Sequence, residues 1–195
     1  MLFLHASPNL YTINENGKPS NYMSPQLDFV TESKTIKQAI DESHMEVIFR
    51  SKVATKKNFA DTMSLSPSVL HISCHGVQNR PTNQRNFRQN QNVGNFLLFE
   101  NGQGDGELVS AQELSTFMEK DEANLSVVFV AACQSEEIGR IFQDNGAKHV
   151  ICVESKRFVL DKAAIMFTKK FYFELFSRRE YVCKAFDKAK NYVEY

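Results

Sequence analysis

Two short apolar runs in this chain each end in a side chain suited to acyl transfer. Val69-Leu70-His71-Ile72-Ser73-Cys74 leads into His75-Gly76, and Val127-Val128-Phe129-Val130-Ala131-Ala132 leads into Cys133. A thiolate attacks a carbonyl carbon, and an imidazole takes the thiol proton and returns it to the leaving amine, so the two types together point to a cysteine–histidine hydrolase. An ordinary cysteine is only a few per cent thiolate at neutral pH. Lowering its pKa by about two units takes about 2.7 kcal/mol, which a helix N-terminus and an imidazolium supply together. A helix capped by Ser135 follows Cys133, but Glu136 and Glu137 in its first turn raise the thiol pKa, which argues for a histidine base over a standing thiolate–imidazolium pair.

Gly76 and Ala132 fit the same chemistry. Without a β-carbon, Gly76 lets a scissile carbonyl come close, and the amides of Gly76 and Cys133 are candidates to hold the oxyanion. Each residue alone has a plainer explanation, His75 as a satisfied strand-end histidine and Cys133 as a small buried hydrophobe. The glycine behind one and the helix cap behind the other favour the joint reading.

Positioning the pair requires two neighbouring parallel strands that end at one sheet edge. Both runs are short, rich in β-branched and aromatic residues, and followed at once by turn or cap chemistry, as buried strands are. Leu2 to Ser7 reads as a first strand, followed by a polar loop through Pro25. Thr31 is placed to cap a helix to about Glu42, Met45 to Phe49 reads as a second strand, and Thr55 caps a helix carrying Phe59 and Met63. Residues 77–95 are dense in Asn, Gln and Arg and are expected to form a mobile loop beside His75, suited to a lid or a substrate contact.

Phe96 to Phe99 reads as a short strand, and Ser110-Ala111-Gln112-Glu113 as a capping box. Leu125 to Ala132, a helix from Glu136 to about Asp144, and a strand at His149 to Val153 follow. Helical stripes of Ala164, Phe167, Phe171 and Leu175, then Val182, Ala185, Ala189 and Tyr192, complete the chain. Strands alternating with helices predict an α/β fold whose mostly parallel sheet is covered by helices on both faces.

Composition sets the class. A chain of 195 residues with 42% hydrophobic content suits a single domain over 1–195. Lysine plus arginine and aspartate plus glutamate are 23 each, which gives no field for nucleic acid or an anionic membrane. Four cysteines (Cys74, Cys133, Cys152 and Cys183) without a CxxC pair argue against structural zinc. His71 and Cys74 would face opposite sides of a strand, so no metal is expected there, and no cofactor is implied elsewhere. Leu2 to Ala6 is too short for a signal peptide, and no apolar run reaches membrane length, which leads to the expectation of a soluble, reduced, cytoplasmic protein. Oligomeric state is left open by the sequence.

The segments "HISCHG" and "VVFVAACQS", followed by "IGRIFQDNGAKHVICV" and "VLDKAAIMFTKKFYFEL", closely resemble the CHAT domains, and "LDFVTESKTIKQAI", "ATKKNFADTM" and "GDGELVSAQEL" extend the similarity over most of the chain. The resemblance implies a caspase-like three-layer sandwich and a cysteine endopeptidase of the group that includes caspases, separases and gingipains. It implies a catalytic dyad at His75 and Cys133, with a regulatory or signalling role. In separase-like relatives an acidic residue early in the helix after the fifth strand helps to bind a basic P1 side chain. Asp161 stands at the similar place, and Glu154 is a second candidate; the plainer reading of Asp161 is a helix N-terminal charge. Family members are often attached to tetratricopeptide repeats, so a repeat regulator is an expected partner, although no period of about 34 residues occurs here. Two other readings remain: a catalytically silent scaffold or interaction module of the same fold, and a nucleotide-binding domain, which the absence of a glycine-rich loop after the first strand disfavours.

Overall fold

A computed structural model describes residues 1–15, 18–79, 94–118 and 124–194. Its centre is a parallel five-stranded sheet in the order β10-β9-β5-β1-β4, from His149–Ile151 (β10), Val127–Ala131 (β9), Val69–Ser73 (β5), Leu2–His5 (β1) and Arg50–Val53 (β4). The inner strands are nearly continuous apolar runs because both faces are buried. Leu4, Ile72 and Val130 point to one side, and Phe3, His71 and Phe129 to the other, so each strand feeds two cores.

One core packs the sheet against α2 (Lys56–Met63), α3 (Ala111–Ser115) and α4 (Glu136–Asp144), with Phe59 and Phe142 fully buried. The other packs it against α1 (Phe29–Ser43), α5 (Asp161–Tyr172) and α6 (Val182–Glu194) through Ile36, Phe171, Tyr172, Ala185 and Ala189. Each large apolar side chain removed from water contributes about 1.5–3 kcal/mol, which makes these two layers the main support of the sheet edge. The mixed α/β architecture with helices on both faces is the one that the sequence predicts.

A second five-stranded sheet, in the order β3-β2-β8-β7-β6, was not predicted. It joins Lys18–Met23 (β3), Leu10–Glu15 (β2), Gly106–Ser110 (β8), Gly94–Glu100 (β7) and His75–Asn79 (β6). The stretch expected as a polar loop before Pro25 is therefore the β2–β3 hairpin, with Asn16 and Gly17 outside the described residues. Its apolar pattern is thin because an edge hairpin buries little beyond Ile13. The span 77–95 likewise begins and ends in paired strands, Gln78 opposite Asn95 and Val77 opposite Phe96; residues 80–93 lie outside the described residues.

Two boundaries and one cap also differ. Helix α1 is capped by Asp28, whose side chain accepts from the Thr31 N–H, so the helix starts earlier than a Thr31 cap would allow. The strand expected at Met45–Phe49 is instead Arg50–Val53, an edge strand paired to β1 alone, where alternation is weak. Ser135 occupies the N-cap position of α4, but its buried hydroxyl donates to the Val130 carbonyl and accepts from the Val153 N–H, tying β9 to the segment after β10 instead of capping the helix. The capping box at Ser110 and Glu113 forms as expected. Among the described residues, no helix is long and apolar enough to cross a membrane.

Candidate active site

β5 and β9 run side by side in register, Leu70 opposite Val128 and Ser73 opposite Ala131. The last rung is the Cys74 N–H donating to the Ala131 carbonyl at 3.3 Å. Two residues past Ser73 comes His75, and two past Ala131 comes Cys133, so the two runs deliver their reactive residues to adjacent positions on one sheet edge. This relation rests on the parallel, in-register pairing of β5 with β9, not on closeness in sequence.

Gly76 makes the approach possible. A β-carbon built on it would overlap the Cys133 carbonyl and crowd the Cys133 amide, so β6 can leave the parallel sheet only across the main chain of Cys133. The sequence reading reserved that space for a substrate carbonyl, whereas the missing β-carbon makes room for the Cys133 backbone itself. Directly after the cysteine, Gln134 is buried with φ 55°. A left-handed glutamine costs about 1–2 kcal/mol, and the kink it makes turns the chain from β9 into α4 with Cys133 at the corner. No signal in the sequence marks it, since glycine or asparagine would be the usual choice there.

His75 is half-buried, and its Nε2 lies 2.7 Å from the Pro25 carbonyl oxygen. A carbonyl can only accept, so Nε2 carries the hydrogen and Nδ1 is the basic nitrogen of the neutral ring. In the sequence Pro25 marks only the end of a polar stretch, and nothing there shows that its carbonyl reaches His75.

The Cys133 sulfur meets the segment between β10 and α5. The Val159 N–H donates to Sγ at 3.4 Å, and the thiol is 3.7 Å from the Val159 carbonyl. That segment is tied down by Glu136, whose Oε2 accepts from the Ser155 N–H at 3.1 Å and the Ser155 hydroxyl at 2.9 Å. These bonds and Arg140 hold the Glu136 carboxyl down to about 2. Phe158 and Leu160, on either side of Val159, are 78% and 79% exposed.

The other candidates separate. Asp161 opens α5, and its Oδ2 accepts the Asp28 N–H at 3.2 Å, so it bridges the starts of α5 and α1. Glu154 is exposed and pairs with Arg157 at 3.1 Å. Cys74 is buried, and burial pushes its thiol far up, which suits packing and not chemistry. Cys152 is half-buried, Cys183 is exposed, and all four cysteines are free.

His71 belongs to a buried network that the sequence did not reveal. Its Nδ1 is 3.0 Å from the Tyr172 hydroxyl, and its Nε2 lies 3.1 Å from Glu32 Oε1, at ion-pair distance without the alignment of a hydrogen bond. Thr168 donates to the same Glu32 oxygen at 3.0 Å. Burial pushes the Glu32 carboxyl up, but the His71 charge and contacts from His71, Ser73 and Thr168 outweigh it and hold the group below its ordinary value. Glu32 lies one helical turn before Ile36 on the buried face of α1, where a charged residue breaks the apolar stripe and so carries no sign of burial in the sequence.

A layered parallel sheet with a cysteine and a histidine on one edge defines a caspase-like α/β fold. The sequence model of the CHAT domain matches residues 17–191, and the chain belongs to this family of caspase-like peptidases. A curated protein from an unknown prokaryotic organism, named Roc-COR-CHAT protease, is 27% identical over 165 residues. The match covers 79% of this chain and 14% of that protein, so the chain spans a small part of the relative's length.

Proposed function

We propose that this chain is a cysteine endopeptidase in which Cys133 attacks the peptide carbonyl, His75 Nδ1 takes the thiol proton and passes it to the leaving amine, and the amides of Gly76 and Cys133 hold the oxyanion. The observation that carries the reading is the seating of Gly76 on the Cys133 main chain, which brings the end of β5 and the end of β9 together at one edge. The Pro25 carbonyl supports it by fixing which ring nitrogen is basic. Four free cysteines suit a reduced, cytoplasmic setting, and the family membership suits a regulatory role.

Asp161 is the proposed acidic determinant of a basic P1 residue. One carboxylate oxygen on the Asp28 amide leaves acceptor capacity on the group for an arginine or lysine. Glu154 contributes less, since Arg157 already neutralises it. The silent-scaffold reading draws on the Val159 contacts to the Cys133 sulfur, which occupy the nucleophile in this conformation.

Incubation with a randomised peptide library tests the proposal. The expected result is cleavage that Cys133→Ala abolishes, with Arg or Lys enriched at P1 and that enrichment lost in Asp161→Asn. A library unchanged by the wild-type chain under conditions where Cys133 alkylates freely would support the scaffold.

A further inference from the structure

The residues that hold Pro25 in place lie far from it in sequence. Between β3 and α1 the chain passes through Ser24 to Asp28, and four successive pins fix it. The Ser24 N–H donates to the Asn9 carbonyl at 3.0 Å, and the Gln26 side-chain amide donates to Asn9 Oδ1 at 2.6 Å. The Leu27 N–H donates to the Ser7 hydroxyl at 3.0 Å, and the Asp28 N–H donates to Asp161 Oδ2 at 3.2 Å. Ser7 is itself held, its N–H donating to Glu100 Oε1 at 3.1 Å. Two consecutive amides, two and three residues beyond Pro25, are thus clamped by side chains from the end of β1 and the start of α5.

We propose that Ser7 and Asp161 are positioning residues that, by clamping the Leu27 and Asp28 amides, aim the Pro25 carbonyl at His75 Nε2 and thereby keep the basic nitrogen of the ring at Nδ1. The proposal rests on the peptidase reading for its consequence, but its geometry stands apart from it. An oxygen acceptor on each side chain is what the clamp needs, and no charge is required. If the Pro25 carbonyl drifts, the ring loses the bond that distinguishes its two nitrogens, and a neutral imidazole then carries its hydrogen on either one. A His75 protonated on Nδ1 presents a donor where the reaction needs a base.

The test reads the ring directly. In full-length protein labelled with nitrogen-15 on histidine, the His75 signals are assigned with His75→Gln and followed above the titration of the ring. Wild-type protein is expected to favour the Nε2–H tautomer by about tenfold, the bias that one net hydrogen bond provides. Asp161→Ala and Ser7→Ala should each move the population toward the weaker Nε2–H preference of a free histidine side chain. Asp161→Asn and Ser7→Thr, which keep an oxygen acceptor, should keep the wild-type bias. In peptide cleavage Ser7→Ala should lose about tenfold in kcat with little change in KM, while Asp161→Ala should lose a similar factor in kcat and, with a basic P1 residue, also raise KM.

A loss of basic P1 preference in Asp161→Asn with an unchanged tautomer separates the carboxylate's charge from its clamp. If both alanine variants retain the wild-type tautomer bias, the proposal is overturned. Should the chain cleave no peptide at all, the peptidase reading fails while the nitrogen spectra still decide the clamp.

Discussion

Gly76 lies against the main chain of Cys133 so closely that no side chain can be added there without moving one of the two strands. The obstacle is a main-chain carbonyl oxygen at the β9–α4 corner, not the end of a flexible side chain, so it cannot swing aside without moving backbone. Gly76→Ala is expected to destabilise the fold by about 1–3 kcal/mol, the range for overpacking, and to lower peptide cleavage more than stability alone explains. Urea midpoints beside cleavage rates check it. A variant with wild-type stability and rate would mean that the contact yields easily.

The segment over the nucleophile should respond to its latch. Glu136 holds Ser155 through two bonds, and Val159 then reaches the Cys133 sulfur four residues on. Ser155→Ala removes the hydroxyl contact and leaves the amide bond. Glu136→Gln weakens both. Alkylation of Cys133 by iodoacetamide should quicken a few-fold in Ser155→Ala and further in Glu136→Gln, in line with about 1 kcal/mol per hydrogen bond. Because the Glu136 carboxyl stays ionised down to about pH 2, the wild-type latch should not open on mild acidification. Equal alkylation rates in all three proteins would show that the segment does not shield the sulfur.

Acid stability should follow the buried pair of Glu32 and His71. Glu32 has a folded-state pKa below its ordinary 4.5, so ionised Glu32 stabilises the fold above that value and the contribution is lost as pH falls through the lowered one. Denaturant midpoints measured from pH 7 downward should fall in the wild type below about pH 4.5. Glu32→Gln should begin lower and show a shallower fall, and Glu32→Ala should cost about 1–3 kcal/mol at neutral pH by leaving the buried His71 Nε2 and the Thr168 hydroxyl without Glu32. Parallel curves for wild type and Glu32→Gln would remove Glu32 from the acid response.

Much of this arrangement is legible in the sequence, and what is not has physical causes. Both strands that lead to His75 and Cys133, β5 and β9, read correctly, because burial on two faces writes continuous apolar runs. Within the crossover between them the Ser110 capping box reads correctly and marks α3. The second sheet does not. Its hairpin β2–β3 buries Ile13 and little else, so its alternation carries no strong apolar signal. The polar interior of the site is also hidden. Glu32, Thr168 and the Pro25 carbonyl meet their partners over more than 38 residues of chain, and a single sequence holds no record of such pairs. Gln134 adopts a left-handed conformation that its residue type disfavours, so only the fold reveals it.

The central claim is that Cys133 and His75 act as one nucleophile and base. Its most direct measurement is the rate of Cys133 labelling by an electrophilic peptide ketone with Arg at P1, compared in wild type, His75→Ala and Cys133→Ala. Labelling of the wild type that falls at least a hundredfold in His75→Ala and vanishes in Cys133→Ala is the predicted result. Labelling at the same rate with and without His75 would contradict it.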